Sequence, residues 1–298
     1  MAPGRPETTE LYPVPGPAGW LMPGVLTPVA ALALVIASAL LGDLGLGSIV
    51  RLDPKGNPVD IWGLVAFTLV PFSLLALMLL AWVWTVERGA LANLGLASPR
   101  RALRSFARGW LVGLFTLLLV VIVASLSGGF ALRTASSAWD DPASLLPIVA
   151  LMIGFAVQAS AEELLFRGWL FSSLVRKFNV ATGVVVSSAL FALAHFSRGQ
   201  SALVSIGLLL FGVFCALWAW RARDIAGVMG WHSGWNWLLA VGFGLPLTGL
   251  DVGIPALLAP LQPVGPDWLT GGAQGPEGSI VCVVFFVIGC MVLMRRRG

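Results

Sequence analysis

The sequence predicts an all-α protein, a polytopic membrane helix bundle of about eight transmembrane helices with both its N-terminus and its C-terminus cytoplasmic. Three observations predict it. Hydrophobic residues make up 58% of the 298 and charged residues only 11%, against roughly a quarter charged in a soluble domain. Eight apolar runs are long enough, or nearly so, to cross about 30 Å of hydrocarbon at about 1.5 Å per residue. Lys and Arg collect in alternate connections between those runs, as the positive-inside rule requires of a spanning chain.

Residues 1–20 are rich in Pro and carry Arg5, Glu7 and Glu10. They lack the basic n-region and small-residue cleavage site of a signal peptide. They are therefore expected to be a cytoplasmic tail, and the first run, near 25–46, a retained span. Residues 21–298 read as a single integral membrane domain. The second run, 61–84, contains Trp62, Trp82 and Trp84, and Trp20, Trp110, Trp218 and Trp220 also sit at run ends. An amphipathic indole prefers that headgroup level. Arg100, Arg101, Arg104 and Arg108 precede the third run, 109–127. They are read first as a solvated topogenic loop, and second as a short amphipathic helix on the anionic inner leaflet. The fourth to seventh runs, near 145–170, 180–196, 202–220 and 225–243, carry every chemical motif, so the motif core is 145–243. A Gly/Pro-rich stretch, 244–278, then leads to the last run, 279–294, and its apolar patch from Ile254 to Ala259 is suited to touch the interface.

With the N-terminus inside, thirteen Lys and Arg fall on the cytoplasmic side, Arg51, Lys55, Arg133 and Arg198 fall on the other, and Arg167 is left within a span. Seven or nine spans would break this alternation. The same asymmetry accounts for the net charge of +4, which in a soluble protein would point to nucleic acid and here does not. Cys215, Cys282 and Cys290 all lie within spans with no paired spacing, as inert buried thiols do. No internal repeat or soluble domain is visible, and nothing in the sequence sets an oligomeric state.

The chemistry is concentrated. The chain has two histidines, His195 and His232, and both lie inside apolar runs, as do the adjacent Glu162 and Glu163. Ionisable groups in hydrocarbon cost several kcal/mol each and by default mark a working site. Glu163 and Arg167 are at i,i+4 and share a helix face, whereas Glu162 points about 100° away. The economical arrangement pairs Glu163 with Arg167 and leaves Glu162 as the free carboxylate, suited to general-base work. The plainer reading is a structural clamp between helices. Phe191 and His195 are also at i,i+4, and alone would be packing. His232 and Asn236 repeat the spacing, and such a donor pair suits either a developing oxyanion or interhelical polar glue. Together the three segments supply the groups needed for water-mediated acyl transfer. Depth is the strained point of that scheme: counted from the cytoplasmic run ends, Glu162 and His232 lie about 10–12 Å deep and His195 about 22 Å. The site is expected to open to the cytoplasm.

The motifs Glu162-Glu163-x-x-x-Arg167, Phe191-x-x-x-His195 and His232-x-x-x-Asn236 resemble, in order and spacing, those of the CPBP family of intramembrane glutamic endopeptidases, which includes CAAX-processing proteases and bacterial abortive-infection or bacteriocin-processing relatives. The resemblance covers about 75 residues. It implies that Glu162 activates the hydrolytic water with His195 helping to hold it, that His232 and Asn236 stabilise the oxyanion, and that Glu163 and Arg167 support them. It also implies a membrane-associated protein or peptide substrate and no cofactor. Arg outnumbers Lys 16 to 2, which with the Ala and Gly content hints at a GC-rich bacterial genome, a bacterial cytoplasmic (inner) membrane, and a substrate other than a prenylated CAAX protein. Two other readings stand beside this one. A zinc metalloprotease would use His195, His232 and a glutamate as ligands, though it lacks HExxH and gives Asn236 no role. A non-enzymatic immunity or scaffold protein, or a transporter with a proton relay, would use the same charges without hydrolysis.

Overall fold

The computed structural model describes residues 11–295 except 13, 48–49, 54–56, 97, 135–136, 198 and 251–252. Helical rods occupy all eight positions expected from the sequence. They are α1 (Thr27–Leu46), α2 (Ile61–Thr85), α3 (Pro99–Leu126), a compound rod from α4 (Leu145–Glu163) to α5 (Phe171–Lys177), α6 (Val180–Ala194), α7 (Ala202–Ala222), α8 (Ala226–Gly242) and α10 (Ile280–Arg295). α1, α2, α3, the compound rod and α7 are long and apolar enough to cross a membrane unaided, while α6 and α10 are shorter apolar helices. The connections hold a four-residue helix, α9 (Asp267–Thr270), short 3-10 turns, and a small antiparallel ribbon of β1 (Phe130–Leu132) and β2 (Leu261–Pro263).

Helix starts follow local chemistry. Asp60, Ser98, Asn179 and Ser201 are N-caps whose side chains accept from Gly63, Arg101, Thr182 and Val204, which satisfies otherwise orphaned amides. Ser98 is followed by Pro99 at the first helical position, so α3 begins ten residues before its apolar run. The basic segment 100–108 is therefore helical and continuous with the third span, not the solvated loop preferred from sequence. Propensity explains the difference: Arg, Ala and Leu favour a helix once a cap and a Pro have started it.

Glycine sets the closest packing. Gly109 and Gly113 on α3 face Gly230 and Gly234 on α8. A β-carbon on Gly109 would lie 1.9 Å from the Gly227 carbonyl oxygen, on Gly113 2.2 Å from that of Trp231, on Gly230 2.0 Å from that of Phe106 and on Gly234 2.4 Å from that of Trp110. The two backbones are therefore in contact, as in small-residue membrane interfaces, and this seam fixes the helix that carries His232 and Asn236.

The connections sort into two ends. At one, Tyr12 packs on Gly95, Gly24 on Lys177, Arg101 reaches Asp224 and Arg221 donates to the Met294 carbonyl. At the other, β1 pairs with β2, Trp139 donates to the Leu257 carbonyl and Glu277 sits against Gly207. The Ile254–Ala259 patch folds back over the end of α8, with the Leu257 and Leu258 amides on the Val241 and Gly242 carbonyls. The first end is the arginine-rich one.

Candidate active site

α4 does not stop at its second glutamate. Leu164–Leu170 continues the rod as π-helix, with the Phe171 amide bonded to the Phe166 carbonyl, before α5 resumes. Single π turns inside α-helices are frequent at functional sites. The rod therefore runs to Lys177, fifteen residues beyond Glu162, and His195 lies fifteen residues beyond Val180. That equality removes the mismatch between Glu162 and His195, which arose from ending the fourth span at 170, while His232 meets Glu162 from only six residues beyond Ala226.

Glu163 and Arg167 pair as the helical spacing required. Arg167 Nη1 lies 3.1 Å from Glu163 Oε1, with both side chains fully buried. The guanidinium also donates to the Gly212 carbonyl at 3.2 Å and stands 4.5 Å from the Phe191 ring centre. Glu163 Oε1 takes a second hydrogen bond from His232 Nδ1, at 2.9 Å. One carboxylate thus ties α8 to the compound rod and orients an imidazole.

Glu162 faces the other way. Its Oε1 is 3.6 Å from His195 Nε2 and its Oε2 3.7 Å from His232 Nε2. Oε2 has no hydrogen-bond partner among the described residues. These separations exceed a direct hydrogen bond and match groups that share a small molecule between them. His195 is the C-cap of α6, and its Nδ1 is 2.9 Å from the Phe191 carbonyl. A carbonyl only accepts, so Nδ1 carries the proton and the Nε2 of the neutral ring is a lone pair. Sequence had placed His195 within the fifth run, whereas it stands at the end of the helix as its cap. Phe191 supports it, 4.3 Å away between ring centres, and stacks on Phe211 at 5.2 Å.

Asn236 joins from the next turn of α8, its Nδ2 donating to Gln158 Oε1 at 3.1 Å. Gln158 is the residue that sequence reasoning passed over. It lies one turn before Glu162 on α4, and its amide links α4 to α8 beside the carboxylate. The available signal was a buried polar side chain at i−4 from Glu162. Glu162, His195, His232, Asn236 and Gln158 all line one cavity of about 330 Å³, together with residues of α1 and α2. Among the described residues, no three His, Cys, Asp or Glu side chains form a group suited to a metal ion.

All three motifs fall within residues 144–238, which match the family model Type II CAAX prenyl endopeptidase Rce1-like. This match supports the resemblance of residues 144–238 to the CAAX-protease family. The match covers about a third of the chain, from the residue before α4 to within α8. At the level of the family, the match indicates a peptidase domain, and the long apolar helices around it fit an integral membrane protein. No curated protein and no solved structure matches the chain.

Proposed function

We propose that this chain is a glutamic intramembrane endopeptidase, which cleaves a membrane-associated protein or peptide with water activated by Glu162. The observation that carries this reading is the convergence of two imidazole Nε2 atoms on the Glu162 carboxylate, whose Oε2 has no hydrogen-bond partner among the described residues. A water seated between Glu162 and His195 gives one hydrogen to each acceptor. Its oxygen attacks the peptide carbonyl carbon as Glu162 takes a proton. The carbonyl oxygen gains the negative charge, the C–N bond then breaks, and Glu162 returns the proton to the leaving amine.

His232 has the complementary role. Its Nδ1 proton is committed to Glu163, so its Nε2 donates to an oxyanion only when the ring is an imidazolium. Asn236 keeps one amide hydrogen for the same oxygen while Gln158 holds the other, which is the pre-set donor geometry an oxyanion site requires. A bacterial cytoplasmic membrane and a non-prenylated substrate remain part of this proposal.

A comparison of membrane proteomes from cells carrying wild type and Glu162→Ala tests the reading, with a precursor expected to accumulate in the variant. In the purified protein, Asn236→Ala is expected to lower kcat about 10²–10³-fold with little change in KM. Elemental analysis covers the zinc alternative: stoichiometric metal that disappears with His232→Ala would replace the glutamic mechanism by a metal one.

A further inference from the structure

The cavity beside Glu162 extends towards one end of the bundle. From the carboxylate its wall passes Gln158 and Phe155, then reaches Asp43 and Asn57 at the α1–α2 connection and Thr248 and Glu277 in the 243–279 connection. None of its lining residues comes from 86–98, 178–179 or 223–225. That opposite end is closed by packed chain. Leu11 and Tyr12 are 1% and 2% exposed, the Tyr12 hydroxyl donates to the Arg167 carbonyl at 2.7 Å, and Arg223 donates to the Leu11 carbonyl.

Charge separates the same two ends. Among the described residues, the segments at the closed end hold ten Lys and Arg against Glu87 and Asp224. Those at the cavity's end hold Arg51 and Arg133 against seven Asp and Glu. The side that keeps Lys and Arg in short connections is the cytoplasmic one. The expectation that the site opens to the cytoplasm and the expectation that the arginines lie there are therefore incompatible in this fold.

We infer that the catalytic cavity is loaded from the extracytoplasmic face. Its substrate is then an exported or membrane-anchored chain whose cleaved bond is presented at the outer side of the bilayer, not a chain end delivered from the cytoplasm. The statement about cleavage rests on the proposed peptidase reading, whereas the direction of access does not.

Single cysteines read access directly, because Cys215, Cys282 and Cys290 are buried. Asn57→Cys and Thr248→Cys place a thiol at the cavity rim, and Arg104→Cys places one on exposed helix at the other end. A membrane-impermeant sulfonated maleimide is added to intact spheroplasts and, separately, to permeabilised ones. Asn57→Cys and Thr248→Cys are expected to label in intact spheroplasts to the extent seen after permeabilisation, and Arg104→Cys only after permeabilisation. The reverse pattern, or labelling of Arg104→Cys in intact spheroplasts, overturns the inference. Failure of both rim cysteines to label until the membrane is opened overturns it too. Repeating the labelling in Glu162→Gln keeps the two questions apart: an outward pattern with unimpaired proteolysis removes only the glutamic mechanism.

Discussion

The α3–α8 pair and the α1–α2 pair use glycine for opposite ends. On α3 and α8 the missing β-carbons would strike backbone carbonyls at 1.9–2.4 Å, so neither helix has anywhere to yield. On α1, the β-carbon that Gly42 lacks would meet the Pro71 side chain at 2.8 Å, and around that contact α1 and α2 wall a cavity instead of filling it. The first pair fixes the helix that carries His232 and Asn236, and the second leaves the space that the proposed mechanism gives to a substrate. Rigidity and space are thus assigned to separate helices of one bundle.

The largest expected effect breaks the rigid pair. Gly230→Val drives two methyl groups and a β-carbon at the Phe106 carbonyl, and overpacking against backbone exceeds the usual scale of about 1–3 kcal/mol for crowded cores. No folded protein is expected in mild detergent by size-exclusion chromatography. Ala39→Leu, on the cavity wall, is expected instead to leave the elution profile and melting temperature unchanged while altering substrate turnover. If Gly230→Val folds normally, the contrast between the two pairs is lost.

Next in size are the adjacent glutamates. Glu162→Gln is expected to cut proteolysis by at least about 10²-fold in a protein of unchanged melting temperature. Glu163→Gln removes the charge that Arg167 and His232 share, and leaving a buried cation without its partner typically costs about 3–5 kcal/mol. A Glu163→Gln protein as stable as wild type would contradict the ion-pair assignment.

Tyr12→Phe comes third. It strands the Arg167 carbonyl in the π segment, and a buried acceptor left unpaired costs about 1–3 kcal/mol. Burial chiefly holds the Tyr12 phenol well above its ordinary value of 10.0. Its contribution is therefore complete below pH 10 and declines as pH rises beyond it. Thermal melts across alkaline pH should show a steeper loss for wild type than for Tyr12→Phe, and parallel curves would place the phenol in water.

The smallest effect is at a helix cap. Asp60→Ala at the start of α2 is expected to cost about 1 kcal/mol. The Gly63 amide, first among its partners, holds the Asp60 carboxyl below its ordinary 3.8. Its contribution is present above that pH and is lost as pH falls through the lowered value. Wild type and Asp60→Ala should converge in stability as pH falls below that lowered value, as circular dichroism melts would register.

Much of this was legible in the sequence because hydrocarbon punishes charge. Glu162, Glu163, Arg167, His195 and His232 stood out against apolar runs, and the i,i+4 rule alone separated Glu163 from Glu162. The π segment was not legible, since 164–170 is apolar apart from Arg167 and the pattern is the same for α and π turns. Gln158 was hidden because a neutral amide in a span raises no electrostatic alarm. Tyr12 was hidden in a Pro-rich tail whose composition says nothing about where it docks. The cavity's direction depends on which helices fail to touch, a property of the assembled bundle and of no single run.

The π segment also bears on how this rod tolerates change in chain length. A π turn is an α-helix carrying an added residue, with everything beyond it rotated by about 100°. Deleting one residue between Leu164 and Leu170 would let the rod relax to uniform α-helix and wind Phe171–Lys177 round to a different set of neighbours. Tyr12 would lose its carbonyl, and Gly183 would no longer find Phe171 beside it. Substitution can be absorbed in such a stretch more readily than insertion or deletion, because the phase of Phe171–Lys177 is set by those seven residues.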